Sequence, residues 1–316
     1  MKSQKPVKKL AGERTFFSRQ AGFPSSFLGI ALVFLLIIIM SAGSYSLQAS
    51  VASSTVPGLK TPAEENNYQS YSQYEDITLF LARLKNLSPH IRIQTVGRSL
   101  ERENYPARDL YLCILTREGF TQPVELKQQK PPRPTIMIIA SQHGNEQSAK
   151  EAVLWLMRDI AVGELQPLLE KVNFLVIPQA NPYGNFFNQR RNEQNLDLNR
   201  DHVKLEAPEV EAIHRVFRQW MPEVTIDVHE KGDDYYRVSI GCVSNPNISD
   251  RLQQFSRQVV LAEVARELAQ KKITFHEYLV TQRMGIDSSA GVTYPQSDLE
   301  QRETMKRYST TDLNDG

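Results

Sequence analysis

Histidine and carboxylate side chains that could hold one metal ion occur at two places far apart in the chain. His143 and Glu146 lie three positions apart in the stretch Ser-Gln-His-Gly-Asn-Glu, directly after an apolar run. His229 follows another apolar run far downstream. Two imidazoles and one carboxylate are a common ligand set of catalytic zinc sites, whose fourth position stays open for water or substrate. These three residues therefore predict a site for one zinc ion and a hydrolytic chemistry.

The apolar runs that precede these residues are predicted strands, Thr135 to Ala140 and Val224 to Val228. Two more short apolar runs, Leu110 to Leu115 and Val172 to Ile177, are predicted strands as well. Helical periodicity covers Tyr74 to Asn86, Gln147 to Ile160, Glu209 to Trp220 and Arg251 to Ala269. The alternation predicts an α/β fold with a mostly parallel or mixed central sheet and helices on both faces. Because such sheets build their sites at the carboxyl ends of strands, the three candidate ligands are expected to converge.

Charge balance excludes one class of partner. The chain has 37 basic and 36 acidic side chains, a net charge of +1, so it lacks the basic surface that nucleic-acid binding requires. Peptides or small amides that carry a carboxylate are the expected substrates. The two cysteines, Cys113 and Cys242, could bridge in an oxidising compartment, but the strand-like surroundings of Cys113 favour a buried apolar role.

The first part of the chain has the pattern of an export segment. Residues 1–26 contain six basic side chains and one acidic side chain, and an uncharged apolar run from Phe27 to Met40 follows. Residues 1–52 are therefore predicted to be an export signal or an N-terminal anchor, with residues 27–44 as the membrane-anchoring part. The protein is expected to be periplasmic or extracellular. Residues 53–67 are predicted to be a linker, and residues 68–316 a catalytic domain.

Polar motifs between the two predicted metal-binding segments add context. Asn181-Pro182-Tyr183-Gly184 follows the strand that ends at Ile177, and it is succeeded by Arg190-Arg191-Asn192 and by Asp197-Leu198-Asn199-Arg200. Turn chemistry explains the asparagine, proline and glycine. Guanidinium groups beside a metal ion also suit an anionic substrate and a developing oxyanion.

In this order the motifs resemble those of the zinc metallocarboxypeptidase family, the carboxypeptidase A type, over about Tyr68 to His229. The His-x-x-Glu motif of that family matches His143 and Glu146, and its distal histidine matches His229. The resemblance implies one zinc ion bound by these three side chains.

The resemblance also implies roles for the arginines and their neighbours. The Arg-x-Asn element matches Arg190, which would stabilise the oxyanion, although the adjacent Arg191 could take that place. The Asn-Arg pair matches Asn199 and Arg200, which would hold the terminal carboxylate of the substrate. Asp197 would orient a histidine ligand.

The sequence departs from the family pattern at two points. Tyr183 stands where the family commonly has an aspartate, so a differently shaped loop is expected. The catalytic glutamate of the family is not placed, because Glu277, Glu300 and Glu303 lie in polar surroundings typical of surface acids. The expectation is that residues 68–316 lack the C-terminal part of the domain, including the general base.

The activity that these patterns indicate is hydrolysis of the C-terminal peptide bond of peptides. An aspartoacylase-like deacylase of N-acyl amino acids, or an inactive zinc-binding chain, are the alternatives. Of the other histidines, His202 is the strongest candidate for a function because it follows the Asn-Arg element. His90, His214 and His276 are expected to be structural.

Overall fold

The computed structural model describes residues 59–230, 238–242 and 247–278. Its main sheet has five strands in the order β1-β2-β4-β3-β5. These strands are β1 (Ile91–Arg98), β2 (Asp109–Leu115), β3 (Thr135–Ala140), β4 (Asn173–Ile177) and β5 (Val224–Val228). Strand β2 is antiparallel to both β1 and β4, whereas β3 is parallel to β4 and to β5. The predicted mixed sheet is confirmed.

Helices alternate with these strands along the chain. They are α1 (Pro62–Glu65), α2 (Tyr74–Leu87), α3 (Pro123–Gln128), α4 (Ser148–Val162), α5 (Pro182–Phe186), α6 (Pro208–Trp220), α7 (Asp250–Phe255) and α8 (Ala262–Gln270). Short 3-10 turns cover Gln166–Glu170 and Leu198–Arg200. A π-helical stretch, Ser256–Leu261, joins α7 to α8. The helix predicted from Arg251 to Ala269 is therefore present with a change of winding in its middle.

Apolar side chains fill both faces of the main sheet. On one face, α2 and α4 pack against alternate residues of the strands, including Ile136, Ile138 and Phe174. On the other face, α6 packs against the intervening residues, including Met137 and Leu175. Because successive side chains of a strand point to opposite faces, strands covered on both sides need continuous apolar runs. All residues of β3 and β4 are buried, as their sequences require.

Two parts of the main domain differ from the sequence prediction. Strand β1 was not predicted, and it is a polar edge strand with mostly half-buried residues. The sequence predicts a linker over residues 53–67, but the structure shows that residues 59–67 are folded. Leu59 packs into the core and Ala63 of α1 is buried, so these residues are part of the folded domain. Apolar burial stabilises such segments by roughly 1.5–3 kcal/mol per large side chain.

A second, two-stranded sheet pairs β6 (Val238–Ile240) in parallel with β7 (Phe275–Glu277). The apolar side chains of α8 pack on it through Val264 and Leu268. Glu277, expected in a polar surface stretch, lies instead at the end of a strand. Glu300 and Glu303 lie outside the described residues.

The predicted export segment, residues 1–52, also lies outside the described residues. In the part of the chain that the structure describes, none of the helices has the length and apolar character that a bilayer crossing requires. Cys113 and Cys242 are both buried as free thiols. Burial raises the pKa of the Cys113 thiol, which matches its predicted apolar role.

Candidate metal centre

The metal-ligand candidates meet because β3 and β5 are adjacent and parallel. Ala140 at the end of β3 is in register with Val228 at the end of β5, so the residues beyond both strands leave the same edge of the sheet. His229 follows β5 directly. After β3 the chain turns at Ser141, whose φ of 59° lies in the left-handed region, and this turn leads to His143. The convergence predicted from the sequence is thus present.

Three side chains form a compact cluster at this edge. The two oxygens of Glu146 lie 2.7 Å from His143 Nδ1 and 2.7 Å from His229 Nδ1. One donor atom from each residue falls within 4.8 Å of the other two, and within the described residues this is the one such cluster of histidine, cysteine and acidic side chains. The geometry brings all three predicted ligands to one point.

The second ring nitrogen of each histidine faces a carboxylate. His143 Nε2 is 3.1 Å from Asp197 Oδ1, and His229 Nε2 is 2.7 Å from Asp227 Oδ2. Because a carboxylate only accepts hydrogen bonds, these nitrogens carry protons. The Nδ1 atoms face Glu146 at the centre of the cluster, where a metal ion would take the place of the protons they share with that carboxylate. Asp197 has the predicted place beside a ligand.

The charges at the cluster suit a cation. Burial acts to raise the pKa of Glu146, but hydrogen bonds from His143 and His229 hold it well below its ordinary value. Burial acts to lower the pKa of His229, but the carboxylates of Asp227 and Glu146 raise it to about 10. A metal ion that binds His229 must displace this proton, since only the neutral imidazole is a ligand.

The turn that carries His143 and Glu146 packs tightly on helix α5. A Cβ atom at Gly144 would lie 2.0 Å from the carbonyl carbon of Gly184. Asn185 donates through Nδ2 to the backbone oxygen of Gly144 at 2.7 Å, and Asn181 donates to the backbone oxygen of Gln142 at 3.2 Å. Glycine is therefore required between the two ligands for steric reasons.

Tyr183, the departure from the family motif, has a structural explanation. Its ring is buried and lies edge-on to Tyr105, with centroids 5.5 Å apart, and 4.7 Å from the ring of Phe187. Tyr183 is thus part of an aromatic cluster with Tyr105 and Phe187, and the predicted difference in loop shape stays a prediction.

Of the two candidate arginines, the structure brings Arg190 to the cluster. Its Nε donates to Asp197 Oδ2 at 2.8 Å, and its Nη1 lies 3.2 Å from His143 Nδ1 and 3.8 Å from Glu146 Oε1. Arg191 instead donates to the backbone oxygen of Asn195. The guanidinium of Arg190 is partly exposed, so a bound substrate could reach it.

A pair of buried carboxyl groups lies next to the arginine loop. Glu209, at the first turn of α6, accepts a hydrogen bond from Asn192 Nδ2 at 3.2 Å. Burial and the neighbouring carboxylate of Glu193 raise the pKa of Glu209 to about 8. Among the described residues, Glu209 Oε1 and Glu193 Oε2 have no hydrogen-bond donor, as expected for two acids that share one proton.

The structure places the two predicted carboxylate-binding residues close together. The Asn199 amide is buried and lies 3.1 Å from His229 Nε2, so it contacts a metal-ligand candidate directly. In the described part of the chain its Oδ1 atom has no hydrogen-bond partner. The side chain of Arg200 donates to the backbone oxygen of Asn199 at 2.7 Å.

Two residues at the site were not predicted to have a role. Asp227 lies two positions before His229 on β5, a spacing that puts both side chains on one face of a strand and could have indicated the contact. Glu230 accepts hydrogen bonds from the backbone and the hydroxyl of Ser148 at 2.8 and 2.7 Å, at the start of α4. This contact ties the segment after β5 to the helix after β3, and no sequence signal for it is apparent.

Glu277, which the sequence predicts to be a surface acid and not the general base, lies in an ion pair. Glu277 Oε1 accepts from Arg257 Nε at 3.1 Å.

Comparison with known proteins identifies the family of this chain. A sequence model of zinc carboxypeptidases matches residues 77–278, more than half of the chain. The chain belongs to the zinc carboxypeptidase family. Carboxypeptidase 2 of Trichophyton tonsurans is similar over 151 residues at 29% identity, which cover 44% of this chain and 28% of the fungal protein. The chain thus spans less than a third of the length of this relative.

Solved structures of carboxypeptidases have a similar fold. A metallo-carboxypeptidase from Burkholderia cenocepacia superposes with a TM-score of 0.53 at 23% identity, over 66% of this chain and 54% of that chain. Carboxypeptidase A from Helicoverpa armigera gives a TM-score of 0.52 at 16% identity, over 79% of this chain and 64% of that chain. Both likenesses support the α/β architecture.

The cluster has the chemistry that the zinc of this family requires. The family uses one zinc ion, and His143, Glu146 and His229 supply two nitrogen atoms and one carboxylate toward a single point. Each histidine is held by a carboxylate through its second nitrogen, as zinc-binding histidines usually are. The residues present therefore fit the ion.

Proposed function

We propose that this protein is a zinc-dependent metallocarboxypeptidase that hydrolyses the C-terminal peptide bond of peptides. The observation that carries the proposal is the cluster of His143, Glu146 and His229 with the guanidinium of Arg190 beside it. A zinc ion held by the three side chains would supply Lewis-acid polarisation of the scissile carbonyl and activation of water. Family membership favours a peptidase over the deacylase alternative.

Arg190 is proposed to stabilise the negative charge that develops on the carbonyl oxygen. Its Nε is fixed by Asp197, so its Nη atoms face the ligand cluster without further ordering. Burial acts to raise the pKa of Asp197, but His143 and Arg190 hold it well below its ordinary value, so the anchor stays ionised. A preorganised cation of this kind contributes to the transition state because it needs no reorientation during the reaction.

Asn199 and Arg200 are proposed to bind the terminal carboxylate of the substrate. A carboxylate only accepts hydrogen bonds, so the Asn199 atom that would contact it is the amide nitrogen Nδ2, which is buried beside His229. Arg200 is exposed beside it, and a guanidinium can bind a carboxylate through two parallel hydrogen bonds.

Export is proposed from the N-terminal sequence. The basic residues 1–26, followed by the apolar run from Phe27 to Met40, support secretion to the periplasm or the extracellular space. Anchoring through residues 27–44 is proposed as the means by which the catalytic domain stays at the membrane surface.

The proposed activity is tested by assays on the purified chain. Zinc content is measured first, and release of C-terminal residues from a peptide panel is compared with deacylation of an N-acyl amino acid panel. Stoichiometric zinc with peptide turnover is the expected result. The variant His143→Ala should lose both zinc and turnover, while Asn173→Ala, which removes a buried polar side chain at the start of β4, should keep both. Bound zinc without turnover of either panel would overturn the hydrolase proposal.

A further inference from the structure

A line of buried polar side chains leads from His229 away from the ligand cluster. Beyond Asp227 lies Gln142, and beyond Gln142 lies His202, whose Nε2 is 2.9 Å from Gln142 Oε1. His202 Nδ1 in turn lies 3.0 Å from Nε2 of His214. His202 is buried, whereas His214 on helix α6 is half-buried. The line therefore leads from the metal centre to helix α6.

The direction of the hydrogen bonds along this line follows from the two ends. Asp227 only accepts, so the Gln142 atom that faces it has to be the amide nitrogen. Gln142 Oε1 then accepts from His202 Nε2, which must carry the proton. His202 Nδ1 is left as the acceptor for the N–H of His214. Reversing the amide would put two acceptor oxygens against each other, so one arrangement is favoured.

The loosest contact in the line joins Gln142 to Asp227. Within the described residues, Gln142 Nε2 and Asp227 Oδ1 each have no hydrogen-bond partner at bonding distance, although they are a complementary donor and acceptor on neighbouring side chains. Burial acts to raise the pKa of Asp227, but His229 and the nearby Gln142 amide hold it below its ordinary value. Burial lowers the pKa of His202 to about 4, so it is neutral and has the single ring proton that this arrangement needs.

We propose that His202 is a positioning residue of the metal centre, which acts through Gln142 and Asp227 to hold His229 with its Nδ1 directed at the metal. The inference rests on the proposed zinc site and extends it by two residues. Without the His202 donor, the Gln142 amide can rotate, and its oxygen can then face Asp227. Asp227 would lose a neighbour that favours its charged form, and His229 would lose part of its orientation.

Two substitutions at His202 separate positioning from packing. Leucine at this position removes the donor, whereas glutamine can still donate to Gln142 and accept from His214. Zinc dissociation constants of the purified chain are measured by competition with a chelator. Substitution of an outer partner commonly lowers metal affinity about 10–100-fold. Because Gln142, Asp227 and His229 lie between His202 and the ion, we expect the low end of this range, about a tenfold loss, for His202→Leu. His202→Gln should stay within roughly threefold of the wild type.

A remote variant controls for lost stability. Asn173→Leu removes a buried hydrogen bond to Gln129 of 3.0 Å at the opposite end of the parallel strands. It should lower the thermal unfolding temperature without changing zinc affinity. If His202→Leu does not fold, His214→Leu at the half-buried end replaces it, with an expected loss of a few-fold. Unchanged zinc affinity in the folded leucine variant, or an equal loss in the glutamine variant, would overturn the inference.

The same measurements distinguish this inference from the proposed activity. A wild-type chain that binds no zinc contradicts the metal site itself and with it both proposals. A wild-type chain that binds zinc but hydrolyses no peptide contradicts only the activity, and the affinity differences among the His202 variants still decide the positioning role.

Discussion

Replacing Gly144 with alanine is expected to damage both the fold and the metal site. The added Cβ would lie 2.0 Å from the carbonyl carbon of Gly184, 2.3 Å from its Cα and 2.5 Å from the nitrogen of Asn185. Carbon atoms in contact are ordinarily about 3.5–4.0 Å apart, so the two backbones must separate by roughly 1.5 Å. No side-chain rotation can relieve the overlap, because the atoms on the facing segment are backbone.

The size of the effect follows from what joins these segments. Overpacking of this kind costs about 1–3 kcal/mol. Separation would also weaken the hydrogen bond from Asn185 to the Gly144 oxygen, 2.7 Å long, and the 3.3 Å bond from the Gly144 nitrogen to the Arg190 oxygen, each worth about 0.5–1.5 kcal/mol. We expect a loss of about 2–4 kcal/mol in the free energy of unfolding.

Zinc affinity should fall as well, because His143 and Glu146 flank the displaced residue. Metal–ligand distances tolerate changes of only about 0.2 Å, so a displaced turn should cost at least about tenfold in the dissociation constant. Urea unfolding of the metal-free protein measures the first effect and chelator competition the second.

Gly241→Ala is the matched control, since the nearest atoms to its added Cβ lie at 3.4 and 3.9 Å. Its unfolding free energy should stay within about 0.5 kcal/mol of the wild type. The steric reasoning would be refuted by a Gly144→Ala protein that matches this control in both measurements.

Three further predictions concern the core and the charges near the site. Glu209→Gln should stabilise the fold more at pH 9 than at pH 5. The wild-type carboxyl keeps its proton in the folded protein up to a pKa of about 8 but loses it in the unfolded chain near its ordinary pKa of 4.5, so the wild type loses stability as the pH rises between these values. Equal shifts of the urea midpoint at both pH values would contradict this prediction. Leu175→Ala, at a fully buried position of β4, should lower the free energy of unfolding by about 2–5 kcal/mol, and a loss below about 1 kcal/mol in urea titration would contradict the packing described. Asp197→Asn should weaken zinc binding about 10–100-fold with a smaller effect on thermal unfolding, since Asp197 contacts a ring nitrogen of His143; unchanged zinc affinity in chelator competition would remove Asp197 from the site.

The central strands could be predicted from the sequence because burial on both faces leaves a continuous apolar run. The bounds of β3 and β5 agree with the prediction at both ends. Strand β1 has no such run, since Arg92, Gln94 and Thr95 lie on an edge strand that is only half covered. Leu59 and Ala63 are both buried, but the sequence predicts a linker there because two apolar residues among polar ones show no periodicity.

The metal-ligand candidates could be predicted because the sequence itself gives their residue types and their positions directly after strands. The residues that orient them depend on contacts that only the folded chain makes. Gln142 and His202 are 60 positions apart and meet because the loop after β4 folds back over the end of β3. The Arg-x-Asn spacing favours Arg190 but leaves Arg191 open, and the folded loop decides that Arg190 faces Asp197.

Strand β5 lies at the edge of the main sheet in the described part of the chain, and four of its five residues are only half-buried. Edge segments with little burial open locally at low free energy, which amide hydrogen exchange detects. His229 is attached to this strand, whereas His143 and Glu146 follow its neighbour β3, so local opening of β5 would separate the ligands. An ion held by all three favours the closed state by about 2.7 kcal/mol at a hundredfold excess over its dissociation constant. Bound zinc would therefore hold β5 against β3, and the exchange rates of the β5 amides would fall as the zinc concentration rises.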